Sequence, residues 1–332
     1  MISDRSTPST SRHPTAWHIS LGLALVWGLL AGGLCLLMRQ NVYPGPGDFN
    51  WALDTARALL AGRDPYAFEP SPLLVPYPLP VALFGLPVSG MPDPLAAALF
   101  FGISSALLAY GIARSGEPWR LLIFVTPVYF YALMFAQWSP LIVASWFFPV
   151  LAPLLTLIKP QVALPIALNR LTRPGLLLAG VVLGVSLLVY PTWPWRWLAM
   201  TGDYRRLIPI LTLPSGWVLL AALLYWRDER AHLLLGMAVL PFRASYDLLA
   251  LWLVPRTPWQ MWMLAGLSWL PLFISDQAFD VQPEWSVPLL FVPCLLFVIF
   301  NARREQGRTI SLFARRILPP GRSVGDAGRS SE

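Results

Sequence analysis

Charge is absent from long stretches of this chain, and that constrains its fold more than any other feature. Runs without a charged residue cover 13 to 38, 70 to 92, 94 to 113, 121 to 158, 174 to 195, 207 to 226, 257 to 275 and 285 to 302. Most match or exceed the roughly 20 apolar residues that a membrane-spanning helix requires. Only 12% of the 332 residues are charged and 56% are hydrophobic, against roughly 25% charged in an ordinary soluble domain. The pattern predicts an all-α, polytopic integral membrane protein with about ten transmembrane helices. So many spans leave no contiguous polar stretch for a separate soluble catalytic domain, and any chemistry must be built from membrane helices and their loops. The expected organisation is an N-terminal tail over 1–18, a membrane domain over 19–302 and a basic tail over 303–332.

Arginine sets the expected orientation, because positive residues in short loops stay on the cytoplasmic side. The arginines of the C-terminal tail, with Arg5 and Arg12 near the start, place both termini in the cytoplasm, as do the loops 114–120, 159–173 and 227–230. The outer side receives 39–93, 192–206 and 276–284. An even number of spans then requires that 74–90 not cross, as Pro76, Pro78, Pro80 and Pro87 suggest, and that 231–256 go out and return as two short segments. The assignment leaves −3 outside and +10 inside, the +7 of the whole chain. The basic balance therefore describes topology and an anionic inner leaflet, not nucleic acid. The expected location is the plasma membrane. Cys35 and Cys294 lie inside apolar runs and His13, His18 and His232 are scattered, so neither a disulfide framework nor a metal site is indicated.

The first outer stretch, 39–93, carries the most information. Asp48 is placed to cap a helix whose apolar face is Phe49, Ala52, Leu53, Ala56, Leu59 and Leu60, with Gly62 at its C-cap. This predicts an amphipathic helix on the outer surface, with Asn50, Asp54 and Arg57 on its polar side and Asp54 paired to Arg57. Arg63-Asp64-Pro65-Tyr66 follows, then the stiff Pro76-Tyr77-Pro78-Leu79-Pro80.

An outer-face Asp after the first span, a short helix, Gly-Arg-Asp-Pro-Tyr and a Tyr-Pro segment together resemble glycosyltransferase family 87, membrane enzymes of the GT-C type that use polyprenyl-phosphate sugars. Ala136-Gln137-Trp138-Ser139-Pro140 is similar to that family's Gly-Gln turn, Lys159-Pro160-Gln161 to its Lys-Pro-Gln element, and 240–249 to its Ser-Pro-Tyr and Tyr-Asp-Leu element. Ala136 stands where the family has Gly, and Leu240 where it has Ser. The resemblance spans roughly 40–255. It implies a mannose-like hexose transferred from a polyprenyl-phosphate donor to a lipid-linked glycan or glycolipid acceptor, without cofactor or metal.

Such a donor already carries its leaving group, so the enzyme needs one carboxylate as general base and cations around the departing phosphate. Asp48 is the expected base. Arg63, Tyr66, Tyr77, Gln137, Lys159, Arg243 and Asp247 are the expected substrate-binding residues. Trp51, Trp138, Trp193, Trp195 and Trp197 are either interfacial anchors or sugar platforms. Lys159 is the only lysine in the chain. If 141–158 is one straight span, its ammonium is a cytoplasmic anchor; if that run folds as two short helices, it reaches an outer cavity and binds phosphate. A transporter, or an inactive scaffold of the same fold, is the alternative reading.

Overall fold

The computed structural model describes residues 14–43, 47–67, 77–201, 207–212, 214–242, 244–274 and 283–317. Among them the chain is helical throughout, and its only extended pairing is an isolated bridge between Leu207 and Phe242. In chain order the helices used below are α1 (Pro14–Asn41), α2 (Asn50–Leu60), α3 (Asp93–Ser115), α4 (Pro127–Met134), α5 (Ser139–Ala144), α6 (Leu151–Thr156), α7 (Pro160–Asn169), α8 (Arg173–Val189), α9 (Trp193–Ala199), α10 (Glu229–Val239), α11 (Pro258–Trp269) and α12 (Val292–Ile317). Tight 3-10 turns over Pro118–Val125, Ser215–Tyr225 and Ser245–Leu253 connect them.

Three described helices are long and apolar enough to cross a bilayer: Trp17–Asn41, Asp93–Ser115 and Val287–Glu305. A fourth candidate is α8 with α9, which meet at 89°. Ile19, Leu25, Val26, Leu29, Leu30, Leu34 and Leu37 are all exposed on α1, and Leu176, Leu177, Val181, Val185 and Leu188 on α8. A row of bare aliphatics along a whole helix is intolerable in water and natural against lipid. The other face of α1 crosses α3 through small residues spaced by four. A Cβ on Gly102 would stand 2.8 Å from the Gly28 carbonyl, and one on Gly28 would stand 2.8 Å from Ala106. This is the close backbone approach by which membrane helices gain contact without a hydrophobic driving force.

Elsewhere the apolar runs are cut short. The run 121–158, long enough for two spans, becomes the end of a 3-10 turn, α4, α5 and α6, separated at Pro127, Pro140 and Pro149. Proline cannot donate the backbone hydrogen bond that a continuous helix needs. The segment Leu79–Val88 is likewise a short apolar helical piece. These pieces pack into one core that includes Phe49, Phe101, Trp138, Ile142, Leu155, Leu249, Trp252 and Phe291.

Helix α2 forms where expected. It ends in a Schellman turn: Gly62 has φ +64°, Arg63 N–H donates to the Ala58 carbonyl and Gly62 N–H to that of Leu59. Its setting differs from the expectation. Asn50 is buried with the apolar face, and Phe49 stacks on Phe100 of α3 at 4.1 Å, so the helix packs on protein. Arg57 holds Asp93 at 2.7 Å and donates to the Ser89 and Met91 carbonyls, while Asp54 is only a 4.0 Å neighbour. The closer carboxylate, with two carbonyls beside it, outweighs an exposed pair on one helix face.

Candidate active site

Asp48 is not a helix cap. Helix α2 begins at Asn50, Phe49 occupies the cap position without a side-chain bond, and the Asp48 N–H donates to the Phe135 carbonyl at 2.9 Å. That backbone bond turns the carboxylate away from the helix. The Tyr77 hydroxyl donates to its Oδ2 at 2.6 Å, and the Lys159 ammonium stands 3.6 Å from the same oxygen. Oδ1 has no partner among the described residues.

Lys159 comes to this point because α6 stops at Thr156 and Pro160 starts α7, leaving it at the break between two short helices. Its nitrogen pairs with Asp247 at 2.7 Å, donates to Gln137 Oε1 at 3.2 Å and lies 4.7 Å from the centre of the Tyr246 ring. Lys159 is 3% exposed and Asp247 is 0% exposed. A buried ammonium demands such a shell, since removing one partner of a buried pair costs about 3–5 kcal/mol. Of the two alternatives for the run before Lys159, the short-helix condition is the one met, and the side chain is buried beside Asp48. The ammonium meets two carboxylates and an amide oxygen, and so orients the cluster.

Gln137 reaches Lys159 through an unusual turn. At the end of α4 the Gln137 N–H donates to the Ala132 carbonyl and the Ala136 N–H to that of Leu133, which sets Ala136 in the left-handed region at φ +47°. The next residue, Trp138, is fully buried among Phe49, Tyr77, Phe84 and Phe100. It is therefore the packed floor of the cluster and no platform for a sugar.

The Arg63-Asp64-Pro65-Tyr66 segment acts at one remove. Arg63 is exposed and takes part in no described ion pair, so it stands apart from the cluster. Asp64 binds Arg196 at 2.6 Å and accepts from the Tyr190 hydroxyl at 2.9 Å, tying the segment to the bend between α8 and α9. Tyr66 does not face Asp48; its hydroxyl donates to the Tyr77 carbonyl at 3.2 Å and holds the backbone of the residue that grips Asp48. Burial first, and the Asp48 charge next, push the Tyr77 phenol well above its ordinary range, so it stays protonated and remains a donor. Arg243 lies outside the described residues.

Six residues from five separate parts of the chain thus meet: Asp48, Tyr77, Gln137, Lys159, Tyr246 and Asp247. Tyr246 was not singled out in the sequence, although it adjoins Asp247 and its ring is the kind that receives a cation. One carboxylate has an oxygen open and the other is sealed by the ammonium. Such an arrangement can accept a proton from, or hydrogen-bond, a hydroxyl brought to Oδ1. Neither a family model, a curated relative nor a solved structure matches this chain.

Proposed function

We propose that the protein is a membrane glycosyltransferase that moves a hexose from a polyprenyl-phosphate donor to a hydroxyl of a lipid-linked glycan or glycolipid, with Asp48 as general base. The observation that carries this reading is the state of the Asp48 carboxylate: Oδ2 is gripped by Tyr77 and faced by Lys159, while Oδ1 has no partner among the described residues. In the proposed step Oδ1 takes the proton of the acceptor hydroxyl as the acceptor oxygen bonds to the anomeric carbon. The bond from that carbon to the phosphate oxygen breaks on the opposite face, the lipid phosphate leaves with its electron pair, and the configuration inverts. A hydroxyl is a very weak acid, so proton transfer accompanies attack and fixed geometry matters most. The family resemblance supports the same chemistry, with about ten spans, cytoplasmic termini and the cluster toward the outer face as the corresponding topology.

Asp48→Asn keeps the shape and removes the base. Purified protein given a radiolabelled polyprenyl-phosphate mannose and a membrane lipid extract should transfer label, and the variant should lose about a hundredfold to ten-thousandfold in rate. Near-normal turnover by the variant would refute the assignment.

The buried Lys159 and Asp247 pair favours a second reading, a transporter, because ionisable groups at membrane depth commonly mark ion or substrate pathways. Solute or proton flux in sealed liposomes, abolished by Asp247→Asn and independent of any donor lipid, would replace the first reading with this one.

A further inference from the structure

A departing phosphate needs cations, and most of those near the cluster are committed. Arg57 is taken by Asp93 and two carbonyls, Lys159 by Asp247 and Gln137, and Arg196 by Asp64. Arg39, in the last turn of α1, differs. It is 4% exposed, its Nε is buried without a hydrogen-bond partner, and its side chain makes no ion pair among the described residues. A guanidinium carries five donors and cannot shed its proton. Leaving a buried donor of such a group unanswered costs free energy that a ligand could restore.

Its position is informative. The Arg39 Cζ lies 3.4 Å from where a Cβ on Gly47 would stand, and the Phe135 carbonyl oxygen lies 2.6 Å from the same point. That carbonyl is the one that accepts from the Asp48 N–H. The guanidinium is therefore packed against the backbone that sets the base, where Gly47 lets the Phe135 carbonyl approach. Arg39 is carried by α1, apart from Tyr77 and Lys159 that hold the base, and no described carboxylate neutralises it.

We infer that Arg39 is the residue that binds the lipid-borne phosphate of the donor. This rests on the glycosyltransferase reading for the identity of the lipid, and on geometry alone for the phosphate. The chemistry recognised is a phosphate on a lipid, which a polyprenyl phosphate or an ordinary phospholipid headgroup could supply.

The test uses the full chain in nanodiscs of phosphatidylcholine, with undecaprenyl phosphate, undecaprenol and phosphatidylglycerol as probes, read by native mass spectrometry and thermal shift. Wild-type protein should bind undecaprenyl phosphate at least tenfold more tightly than the other two, about the worth of one charge-assisted contact. Arg39→Gln should lose that preference, and Arg39→Lys should keep part of it, because an ammonium supplies charge without the planar fork. A residue serving only the fold would lower the melting temperature when replaced; Arg39→Gln should leave it unchanged or raise it while abolishing the shift caused by undecaprenyl phosphate. Equal binding of undecaprenyl phosphate by wild type and Arg39→Gln overturns the inference, as does equal binding of phosphatidylglycerol and undecaprenyl phosphate by the wild type. Asp48→Asn separates the two claims: if it binds the lipid phosphate normally and no sugar transfer is found even in the wild type, the catalytic reading fails and Arg39 stands. If wild type transfers sugar and Arg39→Gln does so with an unchanged donor KM, Arg39 fails and the catalytic reading stands.

Discussion

Ala136 shows how single residues set this site. A left-handed conformation costs an L-residue roughly 1–2 kcal/mol relative to glycine, and Ala136 accepts it at φ +47°. The turn sends Gln137 toward Lys159 and Trp138 into the core. Glycine there would relieve the strain, yet it would also add about 0.4–1 kcal/mol of unfolded-state entropy and remove a buried methyl worth about 0.8 kcal/mol. These terms cancel within their ranges. Ala136→Gly should therefore leave thermal stability and turnover near wild type, whereas Ala132→Gly, equally buried but helical, should cost about 1 kcal/mol or more. Differential scanning fluorimetry in detergent compares the two, and equal destabilisation by both would show that the turn carries no strain. Asp48, Tyr77, Gln137, Lys159 and Asp247 were legible in the sequence because they stand in short motifs rich in Pro and polar residues within an apolar chain. Arg39 was not, since an arginine at the end of an apolar helix is indistinguishable from an ordinary interfacial anchor until its surroundings are known. Arg63 shows the converse, because its motif position did not say that the side chain is exposed.

At the scale of elements, the helix that carries Asp247 is held from its far end. Arg120 donates to the Trp252 carbonyl at 3.1 Å and the Pro255 carbonyl at 2.7 Å, and its Nε donates to Glu117 at 2.7 Å. Arg230 donates to the Val254 and Pro255 carbonyls at 3.3 and 2.9 Å. The carbonyls at the end of Ser245–Leu253, which have no helical partners, are thus answered by two guanidiniums, and the opposite end presents Asp247 to Lys159. Arg120 is buried and uses its planar fork on three acceptors at once. Lysine cannot serve that geometry. Arg120→Lys should destabilise the protein by about 2–4 kcal/mol, within the range for breaking a buried charged network. The accompanying loss of turnover should appear in kcat with the donor KM held. A variant as stable and active as wild type would show that the arginine clasp does not position Asp247. The sequence revealed where apolar segments lie but only partly how they are cut. Side chains of a buried half-helix and of a full span are equally apolar, because protein and lipid both accept them. The breaks at Pro127, Pro140 and Pro160 follow from proline chemistry, while the 3-10 winding of Ser215–Tyr225 and Ser245–Leu253 carries no such mark.

At the scale of the whole molecule, the described ion pairs sort into two groups. Asp48, Asp54, Arg57, Asp64, Asp93, Lys159, Arg196 and Asp247 pair among themselves, and so do Glu117, Arg120, Arg170, Asp228, Glu229, Arg256 and Glu305. No described pair crosses between the groups. The first group holds residues expected on the outer side together with Lys159, and the second holds residues expected on the inner side. Helix α7 joins Lys159 to Arg170, and ten residues at 1.5 Å each separate the two levels by about 15 Å. Toward the other side, Trp138 beneath the cluster packs on Phe100, seven residues into α3 and so about 10 Å below its start. The cluster would then lie sunk within a slab close to the roughly 30 Å of a hydrocarbon core. This geometry predicts a reagent pattern on single-cysteine variants made in a background with Cys35 and Cys294 replaced by alanine. A membrane-impermeant maleimide added to intact cells should label cysteine at Asp64 and at Gln282, which lies outside the described residues, but not at Glu117 or Glu229 until the cells are opened. Cysteine at Gln161, two residues from Lys159, should react with a small permeant reagent and resist a bulky one, since the path to it leads through the depth of the slab. Labelling of Asp64 and Glu229 from the same side of an intact membrane would overturn the two-sided arrangement and, with it, the placement of Asp48 toward the outer face.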